Sequence, residues 1–315
     1  MKPLVLLANE IDSLNYTVDS NVADTAVIYP SINLLWRGIR RLYHISGLPK
    51  FCIFWSLKKE EIQKYDSIII FECMYPMDII EYIRKINKKC RIIYWFWGSI
   101  VDKKNTPLYP SKKYTKQLLK NRQKYNYELW SFDRSDCCKY NLQYNNQMGV
   151  KFNYCEKNKA TTDVFFMGQD KNRIEQINEL AGLFDKLGIS FDFRIIPTPR
   201  KKYSKDEKYL WKKSLLPYQK MIKEELNSKC LLELVQQGQG DITWRALEAF
   251  FYKKKLITNC AAVKEYDFYC PENIFILGID KEDELKKFLD IPYKNVNVNI
   301  SKYLFSGWIR NFEIG

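Results

Sequence analysis

The sequence has 315 residues, enough for two domains of about 150 residues each. Hydrophobic residues make up 46% of it and aromatic residues 15%, which excludes a globally disordered chain, and no apolar run is long enough to span a membrane as a helix. The net charge is +14, from 51 Lys and Arg against 37 Asp and Glu.

Short apolar runs alternate with helical patterns along the first half of the chain. Strands are predicted at residues 4–8, 51–55, 67–71, 91–97 and 128–132, and helices at 31–45, 58–64, 76–87 and 134–140. The first run is followed by polar residues and not by a small-residue cleavage site, so we expect a buried strand there and no signal peptide. Apolar strands that alternate with helices indicate a parallel sheet covered on both faces.

The alternation starts again after a polar segment at residues 150–161. Strands are predicted at 163–167, 190–196, 229–235, 255–259 and 273–277, and helices at 173–187, 218–225, 243–252 and 281–289. Two successive sets of this kind predict an α/β fold with two Rossmann-like domains that face each other across a cleft. We place the first domain at residues 1–155 and the second at 156–300.

The histidine, cysteine and glycine residues limit the kinds of metal, disulfide and phosphate-binding site that the chain can contain. His44 is the only histidine, which excludes a histidine-rich metal site, and the nine cysteines contain no Cys-x-x-Cys pair. The cysteines are typical of a reduced, cytoplasmic protein without a disulfide framework. The sequence lacks a phosphate-binding P-loop, a Gly-x-Gly-x-x-Gly fingerprint and any Asp-x-Asp pair, so no metal site built on Asp-x-Asp is predicted.

A strongly basic run extends from Lys103 to Lys124 and contains eight Lys and Arg residues and no acidic residue. Such a run usually forms a solvated surface. An anionic membrane, a phosphorylated substrate or nucleic acid would also suit it.

The loop after the strand predicted at residues 163–167 is the first candidate ligand site, because ligands bind at the carboxyl ends of strands in open α/β sheets. Gly168 lets the backbone approach a ligand closely, and Lys171 and Arg173 bring charge for phosphates. An ordinary turn with exposed basic residues is the alternative.

The loop that follows the strand at 229–235 is a stronger candidate. It contains Gln239, Gly240 and Asp241, and it leads directly into a helix that starts with Thr243 and Arg245. The unpaired N–H groups and the positive end of that helix favour a diphosphate.

Two further side chains lie close to this loop in the sequence. Glu248, about one turn into the helix, needs a partner for its carboxylate, which two ribose hydroxyls or an internal salt bridge would provide. Tyr218 precedes the strand at 229–235 and would either stack near a nucleotide base or pack in the core.

Residues 231–259 (LLELVQQGQGDITWRALEAFFYKKKLITN) resemble the donor-binding region of GT-B glycosyltransferases, most of all those encoded in bacterial capsule, exopolysaccharide and lipopolysaccharide clusters. Residues 130–136, 163–173 and 269–273 resemble the same group. Residues 303–312 resemble the C-terminal helix that crosses back onto the N-terminal domain in this fold, so 301–315 is expected to pack there.

This resemblance implies a glycosyltransferase that moves a sugar from a nucleotide diphosphate sugar, UDP-linked, to a lipid-linked or oligosaccharide acceptor in bacterial surface polysaccharide synthesis. Family members stabilise the departing diphosphate with cations and helix dipoles, so no metal and no other cofactor is expected. Glu248 would hold the ribose. The diphosphate would be faced by Gly168, Lys171, Arg173, Thr243 and Arg245.

One departure from the family affects the mechanism. Many retaining GT-B enzymes have a Glu-x7-Glu motif that ends at the position of Glu248, but here Gly240 stands at its first position. An inverting mechanism would need a base from the first domain. We expect Asp19 or Asp24 to supply it, because the long polar loop after the first strand should line the cleft. Glu72 and Asp102, which follow the strands predicted at 67–71 and 91–97, are alternative bases.

The acceptor is expected on the first domain. Trp97 and Gly98 end the strand at 91–97, where Trp97 would stack on an acceptor sugar. The acceptor is commonly linked to a lipid diphosphate, so the run from Lys103 to Lys124 would bind the anionic inner face of the plasma membrane and make this cytoplasmic protein peripheral there.

Two other classes of protein compete with this interpretation. A non-catalytic, basic nucleic-acid- or nucleotide-binding protein would suit the charge, but no nucleic-acid motif is recognisable, so no nucleic-acid partner is predicted. A nucleotide-sugar epimerase of GT-B type would share the architecture, but such enzymes tend to rely on histidine and carboxylates, and His44 is the single histidine.

Overall fold

A computed structural model describes residues 2–8, 18–30, 32–46, 54–100, 112–154, 160–198, 201–204, 207–211 and 216–313. The chain divides into two compact units. The first combines Met1–Asn146 with Phe305–Gly315, and the second is Gln147–Leu304. Each unit contains one parallel sheet with helices, so the predicted α/β fold with two Rossmann-like domains is confirmed.

The first unit contains six strands and six helices within the residues that the structure describes. In chain order they are β1 (Leu4–Leu7), β2 (Asp24–Val27), α1 (Leu34–Ile45), α2 (Lys59–Ile62), β3 (Ser67–Phe71), α3 (Pro76–Ile86), β4 (Arg91–Phe96), α4 (Lys112–Tyr125), β5 (Tyr127–Ser131), α5 (Arg134–Tyr140), β6 (Gln143–Tyr144) and, near the C-terminus, α10 (Phe305–Arg310).

The second unit follows the same alternation of strands and helices. Its elements are β7 (Thr162–Gln169), α6 (Ile174–Leu187), β8 (Phe191–Ile196), α7 (Tyr218–Leu226), β9 (Ser228–Glu233), α8 (Trp244–Phe251), β10 (Lys255–Thr258), β11 (Ile274–Ile276) and α9 (Leu285–Asp290). Short 3-10 segments lie at Ala261–Glu265, Glu282–Glu284 and Ile300–Tyr303. No helix in the described part of either unit is long and apolar enough to cross a membrane.

Both sheets have the same topology. The strand order is β2-β1-β3-β4-β5-β6 in the first sheet and β8-β7-β9-β10-β11 in the second, and all neighbours are parallel. Numbered within each unit, both sheets contain the order 2-1-3-4-5 of flavodoxin-like doubly wound domains. In each unit the strand order therefore reverses between the first and third strands.

The strands have uninterrupted apolar sequences because the sheets are covered on both faces. In β7, Phe165 and Met167 pack into the core that includes α8, whereas Val164 and Phe166 pack into the core that includes α6. Burying each such side chain stabilises the fold by about 1.5–3 kcal/mol.

Helix α10 covers one face of the first sheet. The fully buried Trp308 has its ring 5.2 Å from the rings of both Phe71 in β3 and Trp95 in β4. Just beyond the helix, the ring of Phe312 lies 4.9 Å from that of Trp130 in β5. The last residues of the chain thus supply part of the core of the unit that the first residues begin.

Several elements differ from the sequence expectations, and helix α4 and the two-residue strand β6 are among those that were not predicted. Strand β2 was not predicted, because its residues are only partly buried at the sheet edge and form no apolar run. Residues 51–53 of a predicted strand lie outside the described residues, and Phe54 after them has 3-10 geometry. Helix α1 forms as predicted, but its apolar residues Leu35, Ile39 and Leu42 are exposed.

Candidate functional site

The two candidate loops of the second unit come from neighbouring strands. β7 lies between β8 and β9, and the chain leaves β7 towards α6 and β9 towards α8. A ligand crevice forms at such a reversal of strand order, outside the carboxyl ends of the strands. The topology therefore brings residues 170–173 and 234–243 together at the switch point of this sheet.

Arg173 joins the ends of β7 and β9. Its guanidinium donates hydrogen bonds to the carbonyl oxygens of Gln169 and Leu234, and its Nε donates to that of Asp170 at 3.2 Å. Burial lowers the pKa of Arg173 to about 10. A Cβ on Gly168 would lie 3.2 Å from the Phe166 ring and 3.4 Å from this guanidinium, so the glycine stands close to both side chains. The Arg173 cation binds main-chain oxygens of the two loops, and its contact with a diphosphate stays a prediction.

Asp170 fixes the loop that follows β7. This fully buried carboxylate accepts hydrogen bonds from the main-chain N–H groups of Arg173 and Ile174, both at 3.0 Å, from Lys201 Nζ at 2.5 Å and from the Tyr203 hydroxyl at 2.8 Å. Burial alone would raise the pKa of Asp170, but the bonds from Lys201 and Tyr203 hold it below its ordinary value. The sequence analysis did not select Asp170, although an acid a few residues before a predicted helix can accept from its first N–H groups.

Lys171 and Asn172 form the exposed tip of that loop. Both have left-handed backbone conformations, with φ of 43° and 65°, which are uncommon for residues other than glycine. Of the three cations predicted to meet the donor, Lys171 is the one whose side chain is exposed. It stays a predicted phosphate ligand.

The second loop begins with a tight turn. The N–H of Gln239 donates to the carbonyl of Gln236 at 3.0 Å, and Gly238 between them has a φ of 85°, which favours glycine. Gln239 and Gly240 are half-buried, and the Gln239 side-chain amide donates to the carbonyl of Asp241 at 2.9 Å. Both stay predicted ligands at this edge.

Two buried carboxylates hold the end of the second loop. Asp241 accepts from the hydroxyl of Tyr266 at 2.8 Å and is fully buried, so its predicted contact with the donor is corrected to a role in the core. Thr243 caps α8 by accepting from the N–H of Arg245 at 3.1 Å, and its hydroxyl donates to Glu233 at 2.7 Å. Burial raises the pKa of Glu233, which ends β9 and which sequence reasoning missed within an apolar strand.

A buried network lies below the start of α8. Glu248 Oε1 accepts from the Tyr218 hydroxyl at 2.6 Å, and Glu248 Oε2 lies 3.5 Å from Arg245 Nε. The Arg245 guanidinium also pairs with Glu225 and donates to the carbonyl of Met167 at 2.9 Å. Glu248 thus has the internal partners that the sequence allowed for its carboxylate, and its contact with a ribose stays a prediction.

The charges and packing of this network show that Arg245 and Tyr218 do not have the ligand-binding roles predicted for them. Burial raises the pKa of Glu225 although Arg245 opposes the rise, and burial would lower the pKa of Arg245 but Glu225 and Glu248 raise it. Arg245 therefore neutralises buried carboxylates, and it does not face a diphosphate as predicted. The Tyr218 ring is buried 5.4 Å from that of Trp244, so it does not offer the base-stacking surface considered for it.

Trp244, the first residue of α8, is half-buried at the same end of the sheet. The sequence analysis did not select Trp244, although it follows Thr243 directly at the start of the predicted helix. No part of the described chain arranges three or more His, Cys, Asp or Glu side chains so that they could hold a metal ion.

Glu72 is the acidic residue that follows β3 at the carboxyl edge of the first sheet. Its Oε2 accepts from the N–H of Gly98 at 2.9 Å. Trp97 and Gly98 follow β4 and are half-buried, and the Trp97 ring lies 5.2 Å from that of Phe71. The structure thus places the two predicted acceptor residues beside a carboxylate that was only an alternative in the sequence.

Asp19 and Asp24 lie at the opposite edge of that sheet. Asp24 begins β2 and pairs in parallel register with Leu4, the first residue of β1, and its carboxylate accepts from the Tyr65 hydroxyl at 2.9 Å. Asp19 lies in the turn just before β2, where its side chain accepts from the N–H of Asn21 at 2.8 Å. The expectation that these acids line the ligand edge is wrong, because a strand parallel to β1 must start at the amino edge.

The predicted basic surface is described only in part. Residues 101–111 and the side chains of Lys112 and Lys113 lie outside the described residues. On α4, Lys116, Lys120 and Lys124 are exposed, and Arg122 donates to the carbonyl of Asn141 at 3.0 Å.

No family model and no curated protein matches the chain. Among solved structures it is similar to UDP-GlcNAc 2-epimerase from Methanocaldococcus jannaschii, with 14% identity over 99% of this chain and 98% of that one and a TM-score of 0.42. An α1,3-fucosyltransferase with GDP gives 11% identity over 99% and 89% and a TM-score of 0.39. Spinosyn forosaminyltransferase SpnP gives 9% identity over 92% and 90% and a TM-score of 0.39. These similarities are low, and the two parallel sheets themselves define the fold.

Proposed function

We propose that the protein is a glycosyltransferase of GT-B type that uses a nucleotide diphosphate sugar, UDP-linked, as donor. The observation that carries the proposal is the meeting of the loops after β7 and β9 at the switch point of the second sheet. Doubly wound domains bind nucleotides at this position. The exposed Lys171 would provide positive charge for a diphosphate, and the start of α8, where Glu233 accepts from the Thr243 N–H at 2.6 Å, would add the helix dipole.

The donor would lie across both loops. Its diphosphate would approach Gly168, Lys171 and the main chain around Gly240, and its ribose would reach Glu248. Glu248 accepts a hydrogen bond from the Tyr218 hydroxyl. A ribose hydroxyl would take the place of the Tyr218 hydroxyl as the donor, so the buried carboxylate would stay paired and the Tyr218 hydroxyl would turn to another acceptor.

The first unit would bind the acceptor and supply the base. A carboxylate takes the proton of the acceptor hydroxyl while the oxygen of that hydroxyl bonds to the anomeric carbon. The bond from the anomeric carbon to the phosphate oxygen breaks, so the nucleoside diphosphate leaves with the electron pair. We assign the base to Glu72, beside Trp97 and Gly98. Lys171 and the helix start would stabilise the leaving diphosphate without a metal.

The acceptor and its location complete the proposal. A lipid-linked or oligosaccharide acceptor of bacterial surface polysaccharide synthesis would be extended at the cytoplasmic face of the plasma membrane. The run from Lys103 to Lys124 would contact anionic headgroups there. The exposed lysines of α4 support that contact, at about 1 kcal/mol per basic residue near the surface.

Nucleotide binding should depend on Glu248 more than on Glu225. In a thermal-shift and calorimetry panel of UDP, GDP, dTDP, CMP and their sugar conjugates, we expect UDP and UDP-sugars to stabilise the wild type, by about 2.7 kcal/mol at 100 times the dissociation constant. Glu248→Gln should weaken binding about tenfold or more, because an amide is a poorer acceptor for ribose hydroxyls than a carboxylate. Glu225→Gln should bind as the wild type does.

Glu225 is the matched control because it is equally buried and pairs with the same Arg245. Equal losses in the two variants would mean that binding depends only on the integrity of the network, which contradicts ribose contact. If a folded wild type gives no shift with any nucleotide but binds RNA or DNA in a salt-dependent way, the proposal gives way to a nucleic-acid-binding protein.

Sugar transfer should require Glu72 and not Asp24. Glu72→Gln should lower the rate of UDP release in the presence of acceptor about a hundredfold or more, because the general base is lost, and leave the donor dissociation constant unchanged. Asp24→Asn, at the opposite edge of the sheet, should transfer at the wild-type rate, and EDTA should have no effect. An inactive Asp24→Asn with an active Glu72→Gln would overturn this assignment.

A further inference from the structure

Helix α1 presents a row of large apolar side chains to the outside of the first unit. Of the nine large hydrophobic residues that are exposed in the described chain, six lie on this helix. Their exposed fractions are 82% for Leu34, 71% for Leu35, 49% for Trp36, 38% for Ile39, 64% for Leu42 and 60% for Ile45. Scattered exposed hydrophobic residues are normal in proteins, whereas a contiguous cluster marks an interaction surface.

The polar side of α1 attaches it to the protein. His44 is buried with Nδ1 2.5 Å from Asp78 Oδ2, and its ring stacks on that of Tyr75 at 4.1 Å. The Arg40 guanidinium lies 4.6 Å from the centre of the Tyr29 ring. Surface helices normally turn their apolar side to the core, and this one has the reverse orientation.

Positive charge lies beside the exposed apolar face. α1 contains three arginines and no acidic residue, and Arg37 and Arg41 are exposed. The basic helix α4 contacts the same residue as α1, because Tyr114 lies 5.5 Å from the Tyr75 ring that stacks on His44. Apolar side chains flanked by cations match the two layers of an anionic bilayer surface, acyl chains below and phosphate headgroups above.

We propose that α1 lies in the plane of an anionic lipid bilayer, with its leucine and isoleucine side chains in the acyl boundary and its arginines at the headgroups. This goes beyond the charge contact proposed for Lys103 to Lys124, because it adds an apolar insertion by a separate helix. It does not depend on glycosyl transfer, since lipid binding is measured without a donor or an acceptor.

A second copy of the chain fits this face less well. A 12-residue helix is about 18 Å long and about 10 Å wide, so one face offers about 200 Å². A stable protein interface buries about 800 Å² on each partner. Two copies packed through α1 would also bring their arginines together, and like charges at an interface oppose association.

Flotation of the full chain with lipid vesicles tests the proposal. The wild type should bind vesicles of phosphatidylcholine with phosphatidylglycerol and bind pure phosphatidylcholine less. Leu35→Ser with Leu42→Ser should weaken binding to the anionic vesicles about tenfold or more, because two inserted side chains are lost. Ile279→Ser, at an exposed isoleucine of the second unit, is the matched control and should bind as the wild type does.

A second measurement keeps the test valid if the double variant unfolds. Brominated lipid should quench the fluorescence of Trp36 in the wild type, and Trp36→Phe should lack that quenching. The proposal is overturned if the wild type does not bind anionic vesicles, if a folded double variant binds them equally well, or if the lipid-free chain forms a dimer that the double variant abolishes.

Discussion

Arg245→Met should lower the free energy of unfolding by about 3–5 kcal/mol, because it removes the cation from two buried carboxylates. Glu225 and Glu248 both pair with Arg245, and all three side chains are almost fully buried. Methionine fills a similar volume but leaves both acids without a counter-ion. Urea denaturation of the wild type and the variant would measure the difference.

The loss should also depend on pH in a defined direction. Burial raises the pKa of Glu225, and without Arg245 the rise would be larger. A carboxyl whose folded pKa lies above its unfolded value, about 4.3, stabilises the fold fully below that value and loses this contribution as the pH rises. The deficit of Arg245→Met should thus be largest at neutral pH and shrink towards pH values of about 4.

Arg194→Met is the matched control. Arg194 also pairs with two carboxylates, Asp192 at 2.6 Å and Glu224 at 2.9 Å, but this group is partly exposed. Surface ion pairs contribute about 0–1 kcal/mol, so the control should lose little stability. If the two variants lose equal amounts, the buried network is not a major contribution to the stability of the second unit.

Trp308→Ala should destabilise the first unit by about 3–5 kcal/mol, the usual cost of emptying a buried aromatic site. Its ring fills the space above β3 and β4 against Phe71 and Trp95. All tryptophans except Trp211 and Trp244 belong to the first unit, so intrinsic fluorescence during urea denaturation reports mainly on this unit.

The half-exposed Trp36 is the control for Trp308. Trp36→Ala should change the unfolding free energy by about 0.5 kcal/mol or less, as exposed substitutions do. A Trp308→Ala variant with the stability of the wild type would contradict the view that the C-terminal residues complete the first core.

The sequence predicted the alternation of strands and helices well, because strands buried on both faces need uninterrupted apolar runs. β3 at residues 67–71 and α5 at 134–140 have the predicted bounds. The edge strand β2 has only partly buried residues, and its periodicity gave no signal. For this reason Asp19 and Asp24 were placed in a loop at the wrong edge.

The candidate loops were predictable and the directions of their side chains were not. Glycines at strand ends marked the loops after β7 and β9. Arg245 points into the core because it pairs with Glu225 on α7. Glu225 lies twenty residues earlier in the sequence, so no local pattern identifies it as the partner. The apolar spacing of α1 likewise predicted a helix, but it could not reveal that His44 would turn the apolar side away from the core.

The contribution of Trp308 to the first sheet has a consequence for synthesis on the ribosome. The second unit is continuous and ends at Leu304, whereas the first unit begins at Met1 and is completed only by residues from Phe305 onwards. Ribosomes add about 5–20 residues per second, so the nascent first sheet would wait about 10–30 s with the apolar surface of Phe71 and Trp95 uncovered. In the order of translation, the second unit can finish folding before the first, whose apolar surface at Phe71 and Trp95 stays uncovered until residues 305–312 have been synthesised.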